Sequence, residues 1–203
     1  SLFDPDQPVR GDLGLALGAG LGVAKGWVLA GELRQPVVGN LDDIERESDS
    51  ELPRVRSDFP LYVDGSGPRL DRLTLARYGR PGDALYSRVT AGYLERMFAG
   101  VSGELLWAPV DTRLALGAEL NWVRQRDPDD PFGLADYDVA TGHLSAYYDF
   151  GNGYYGQIDA GRYLAGDTGA TLTFERAFDN GWRVGAYATF TDVPFEEFGE
   201  GSF

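Results

Sequence analysis

The sequence has no cysteine and a single histidine, His143. Without thiols there are no disulfides, no thiol catalysis and no cysteine-based metal sites. One imidazole excludes a multi-histidine metal centre within the chain. There is also no apolar run long enough to cross a membrane as a helix. Basic residues are scarce: 18 Lys and Arg stand against 32 Asp and Glu, a formal net charge of −14. That balance argues against nucleic acid as a partner, because phosphates need a basic surface. No signal peptide is visible and Ser1 is not an initiator residue, so the chain reads as a mature or excised segment. No cofactor or metal is expected.

What is present is glycine, 28 residues of it, and 13% aromatics in a length of 203 residues that suits one domain over 1–203. The stretch LGLALGAGLGVAKGW, Leu13 to Trp27, resembles a phosphate loop at first sight. A phosphate loop needs a following helix, however, and none follows; Ala24 before Lys25 also breaks the Walker A spacing. Instead Leu13, Leu15, Leu17, Ala19 and Leu21 alternate with Gly14, Ala16, Gly18 and Gly20. A period of two means a strand.

The alternation recurs over Trp27–Arg34, Arg69–Tyr78, Leu85–Leu94, Phe98–Trp107, Arg113–Arg124, Val139–Tyr148, Tyr154–Tyr163, Gly169–Phe178 and Trp182–Thr191. This predicts about ten strands of the length a tilted membrane strand needs, with no helix. Connections alternate in length. Short turns, among them Asp179-Asn180-Gly181, lie at one end, while the longer Gln35–Pro68, Arg126–Asp138 and Leu164–Thr168 lie at the other. The tight link Glu95–Met97 falls at the long-loop end and breaks that pattern. Such asymmetry fits an up-and-down transmembrane barrel, or part of a larger one, and is also compatible with a soluble barrel. In the membrane version the leucines face lipid. Small residues then line the lumen with Glu32, Arg88, Glu104, Glu119, Asn121, His143, Asp159, Glu175 and Arg183. Trp27, Trp107 and Trp182 beside short turns, with Trp122 at the far end, would form two interfacial aromatic girdles.

The segments LYSRVTAGYLERMFAGVSGELLW and LPRVRSDFPLYVDGSGPRLDRLTLARYGR, with the whole of Asp136–Phe203, resemble YjbH-type exopolysaccharide biosynthesis proteins. The resemblance covers nearly the whole chain and is most specific over Asp159–Phe203. It implies a Gram-negative outer-membrane location and a role in making or exporting extracellular polysaccharide. The implied partners are outer-membrane lipid and lipopolysaccharide, the polysaccharide, and other secretion-system proteins. Family members are longer, so the end at FEEFGEGSF reads as truncation within a longer barrel.

Several constellations compete for chemistry. His143 and Ser145 share one strand face, and a simple hairpin would bring Gln157 and Asp159 beside them. That set resembles the serine–histidine–polar arrangement of outer-membrane acyl hydrolases. The bland alternative is a histidine bonded to neighbouring polar groups. The acidic run from Asp42 to Glu51 lacks the spacing and glycine of a calcium loop and reads as a solvated loop, as does Asp127–Pro131. Glu196-Glu197 cannot face each other as glycosidase carboxylates must. The inward charged row is expected to be a bonded plug of side chains; the rival is a wet path where Tyr155, Tyr163 and Tyr187 stack on sugars. The expectation is therefore a non-enzymatic export barrel, with a passive pore or a hydrolase as alternatives.

Overall fold

The computed structural model describes residues 12–39, 55, 62 and 67–193. Their strands are β1 (Asp12–Ala24), β2 (Trp27–Gly39), β3 (Arg69–Gly82), β4 (Leu85–Tyr93), β5 (Phe98–Trp107), β6 (Leu114–Arg126), β7 (Leu134–Gly151), β8 (Tyr154–Arg162), β9 (Thr168–Ala177) and β10 (Arg183–Thr191). All ten form one sheet in which each strand pairs with its neighbours in sequence, antiparallel throughout. The expected up-and-down order of ten strands is therefore present. The expected closure is not: β1 and β10 are the two edges of the sheet, and no pairing joins them among the described residues. Among the described residues each edge strand has a hydrogen-bonded neighbour on one side only.

Some strands outrun their alternation. β2 continues through Pro36 to Gly39, because beyond Arg34 it pairs with β1 alone and the proline withholds no donor from a second ladder. β3 reaches Gly82 through an irregularity between Gly79 and Gly82. β7 begins at Leu134, where polar Asp136 and Asp138 hide the period; Arg126 pairs with Leu134, and Arg124 Nε donates to the Ala135 carbonyl at 2.6 Å. The Asn180-Gly181 turn forms as its residues dictate. Gly181 takes a positive φ of 88°, and the Phe178 N–H donates to the Trp182 carbonyl at 2.8 Å.

Register sorts the side chains into two faces. Leu29, Leu75, Val101, Leu105, Leu116, Leu120, Leu144, Ile158, Leu172 and Phe174 fall on one face, all of them exposed. Leu15 and Leu17 of β1 share it, each 71% exposed. The other face curls around a cavity of about 1340 Å³, whose walls run from Val28 and Ala30 of β2 to Thr189 of β10. Gly14, Ala16 and Gly18 lie on this concave side, since Gly18 pairs with Glu32 and the same face carries Ala30. Thr74, Ala76, Ser102 and Thr141 are its most buried small side chains.

The long-loop end of the concave face holds the apolar cluster of Tyr62, Met97, Phe98, Val123 and Val139, with Val55, Leu94, Tyr137 and Leu164 packed against it. The tight link at Glu95–Met97 has its explanation here: it turns inward, leaving Met97 and Phe98 only 1% exposed. Curling brings backbones close at selected points. A Cβ on Gly161 would lie 1.9 Å from the Gly142 carbonyl oxygen of β7. Gly161→Ala is expected to force β7 and β8 apart, at a cost of about 1–3 kcal/mol. Gly103→Ala, where the nearest atom is 4.0 Å away, should be near neutral. Denaturant midpoints of the two variants check the contrast.

Candidate functional site: the concave polar face

Cross-strand pairing aligns Tyr78, Arg88, Glu104, Glu119, His143 and Gly161 in one row over β3 to β8. Arg88 grips Glu104 with both ends of its fork: Nε to Oε1 at 2.8 Å, and one terminal nitrogen to Oε1 and Oε2 at 2.5 and 2.7 Å. Ser102 adds a hydroxyl donor to the same carboxylate at 3.4 Å. Glu119 accepts from Asn121 at 2.5 Å, and Asn121 also donates to Thr141 Oγ1 at 3.1 Å. Toward the sheet edges Glu32 meets Arg72 at 3.5 Å and Glu175 meets Arg183 at 3.1 Å. These outer pairs are well exposed, so each contributes little stability by itself.

A second group spans β7 to β10. The Ser145 hydroxyl donates to Asp159 Oδ1 at 2.5 Å, and Gln157 Nε2 donates to both Asp159 oxygens at 2.9 and 2.8 Å. Thr171 bridges Tyr163 and Thr189 at 2.7 and 2.9 Å. His143 edges onto the Tyr163 ring with centroids 4.8 Å apart, and its buried Nε2 has no hydrogen-bond partner among the described residues. The structure thus brings Ser145, Gln157 and Asp159 together and leaves His143 outside their bonds. No hydrogen bond joins the imidazole to the Ser145 hydroxyl among the described residues, so His143 is not seated against it as a base.

The polar residues expected to share one face, Glu32, Arg88, Glu104, Glu119, Asn121, His143, Asp159, Glu175 and Arg183, lie on the concave side by register. Trp27, Trp107 and Trp182 stand at the short-turn rim. Trp122 stands at the other rim, its indole donating to Asp138 at 3.2 Å. Tyr155 lines a smaller cavity of about 440 Å³ at the short-turn end, between Arg113, Tyr147 and Glu175. The acidic run 42–51 and the pair Glu196-Glu197 lie outside the described residues. No group of acids and histidine suited to a metal ion occurs among the described residues. Past the end of β10, Asp192 accepts from the Thr168 hydroxyl and backbone N–H at 2.7 and 2.8 Å. The Thr168 hydroxyl, then its N–H, hold that carboxyl below the usual carboxylate range.

One residue was missed by sequence reasoning. Arg126 is 5% exposed, and its guanidinium donates to the carbonyls of Leu70, Glu95 and Pro131 at 2.9, 3.2 and 2.9 Å. It also lies 4.6 Å over the Tyr93 ring, while the Tyr62 hydroxyl donates to its carbonyl. Backbone carbonyls from three separate segments leave no trace in a residue pattern, so nothing in the sequence could have flagged it.

The architecture defines an all-β protein in which a single ten-stranded meander curls a polar, hydrogen-bonded face around a cavity and turns an apolar face outward. The particular lineage follows from comparison: the family model YjbH, described as exopolysaccharide biosynthesis protein YbjH, matches residues 1–203, and the chain belongs to that family. It is similar to an uncharacterized lipoprotein YjbH of Escherichia coli strain K12, with 36% identity over 211 aligned residues. The match covers 100% of this chain and 30% of that relative, so the chain spans under a third of the relative's length. No solved structure matches the chain.

Proposed function

We propose that the curled sheet is the wall, or part of the wall, of an outer-membrane β-barrel, and that the protein serves exopolysaccharide assembly or export without catalysis of its own. The observation that carries this reading is the convex face. Between the ring of Trp27 and Arg77 at one rim and Trp122, Asp138 and Arg162 at the other, its register positions hold no charged side chain. Exposed leucines in such an unbroken band are costly in water and favourable in lipid. The relative's designation as a lipoprotein agrees with a membrane association, and the family's description supplies the polysaccharide.

Two features favour a scaffold over the rival functions. Tyr62, Met97 and Phe98 pack across the long-loop end of the cavity, which disfavours an open pore. The Ser145 hydroxyl is committed to Asp159 on the concave side, whereas a lipid hydrolase needs its nucleophile at the lipid face. Deleting the gene should reduce polysaccharide released to the medium while it accumulates in the cell. Wild-type protein and the His143→Ala, Ser145→Ala double variant should both restore release. Unchanged release on deletion would contradict the export role, and a dead double variant would contradict its non-enzymatic character.

A further inference from the structure

The two rims of the convex face differ in what their side chains touch. At the long-loop rim the Trp122 indole donates to a carboxylate, Asp138, and Arg162 donates to the Gly166 carbonyl at 3.0 Å. At the short-turn rim the rings carry cations instead. Arg77 of β3 lies 5.6 Å from the ring centroid of its cross-strand partner Trp27. On the far side of the sheet, Arg176 of β9 lies 4.9 Å from Tyr154 and 4.5 Å from Phe178. Both arginines are exposed, and neither has a hydrogen bond or ion pair among the described residues. The neighbouring acid Glu175 points to the concave face, where it holds Arg183.

A guanidinium laid on a ring uses its face and leaves its N–H edge free, which is the edge that matches two oxygens of a phosphate. Each site lies where the apolar band ends and the turns begin, the depth of a lipid headgroup. We infer that Arg77 and Arg176 are docking points for the phosphate groups of membrane phospholipids, and that the short-turn rim sits in a phospholipid leaflet. The acidic partner of Trp122 makes the opposite rim unsuited to the same contact. This inference rests on the membrane reading above.

The test is retention of lipid by the full chain folded into vesicles, extracted in mild detergent and weighed by native mass spectrometry. Phosphatidylglycerol should remain bound, and each of Arg77→Gln and Arg176→Gln should weaken retention roughly tenfold, as loss of one charge-assisted pair implies. Arg162→Gln should retain lipid as wild type does, and circular dichroism should show unaltered strand content in every variant. Galactosyl diacylglycerol, which lacks phosphate, should wash away. Equal retention by the double variant and wild type, or equal retention of the galactolipid, would overturn the inference while leaving the membrane reading intact. Displacement by millimolar inorganic phosphate would overturn it too, by showing a site for the free ion. A wild-type chain that never enters vesicles would overturn both.

Discussion

Leu120→Arg is expected to destabilise the protein in vesicles by about 2–4 kcal/mol, the cost that the proposed lipid-facing band puts on an arginine near the bilayer midplane. Leu120 is 74% exposed and central on the convex face of β6, between Gly103 of β5 and Gly142 of β7. No acid stands on that face between the rims to receive the new charge. In water the same replacement at so exposed a position would change stability by less than about 0.5 kcal/mol. The sign and size therefore depend on the solvent around the convex face, and not on packing. Trp122→Arg, two residues along at the rim, should cost only about 0–1 kcal/mol because the side chain reaches the interface. Urea unfolding from vesicles measures both, and equal small costs for the two would contradict a lipid-facing band.

Arg126→Met carries the second large effect, a loss of roughly 3–5 kcal/mol. Methionine keeps an unbranched apolar stem, but it offers no donors. The carbonyls of Leu70, Glu95 and Pro131 would lose the guanidinium they share in a nearly water-free position. A hydrogen bond from a charged donor is worth about 1.5–3 kcal/mol, and the guanidinium, 5% exposed, makes three of them. The contact over the Tyr93 ring is lost as well. Because Arg126 ties the starts of β3, β5 and β7 together at one end, the variant should loosen the long-loop mouth first. Hydrogen exchange is expected to rise at Arg69–Asp71 and Glu95–Phe98 while the short-turn ends stay protected. Arg126→Lys should recover only part of the loss, since one ammonium cannot reach three carbonyls in the guanidinium's planar geometry.

Much of the fold was legible because a strand buried or wetted on one face announces itself. β6 is the clearest instance: Leu116, Ala118, Leu120 and Trp122 alternate with Gly117, Glu119, Asn121 and Val123, and the structure keeps that division. Legibility fails where a segment lacks two contrasting environments. The first residues of β7, Leu134 to Asp138, pair with β6 alone, and Asp136 and Asp138 stand on the face that is apolar elsewhere, so the usual contrast between faces is reversed there. Pro36 hides the end of β2 for the reason given by its one-sided pairing. Closure could not be read at all, because the edges β1 and β10 carry the same alternation as the central strands. The polar face was legible in membership and not in partners. Period two puts Ser145, His143, Gln157 and Asp159 on one side, yet only register and rotamer decide that Asp159 takes both donors.

Lipid contact of the convex face is directly measurable, because the sequence has no cysteine to compete with an introduced label. Single replacements Ala118→Cys, Glu119→Cys, Leu120→Cys and Asn121→Cys in the full chain would each carry one polarity-sensitive fluorophore. In vesicles a lipid-facing convex band gives a period of two. Labels at 118 and 120 should be blue-shifted and quenched by brominated lipid, while those at 119 and 121 should be quenched by aqueous iodide. Iodide quenching at all four positions, or lipid quenching confined to 119 and 121, would contradict it.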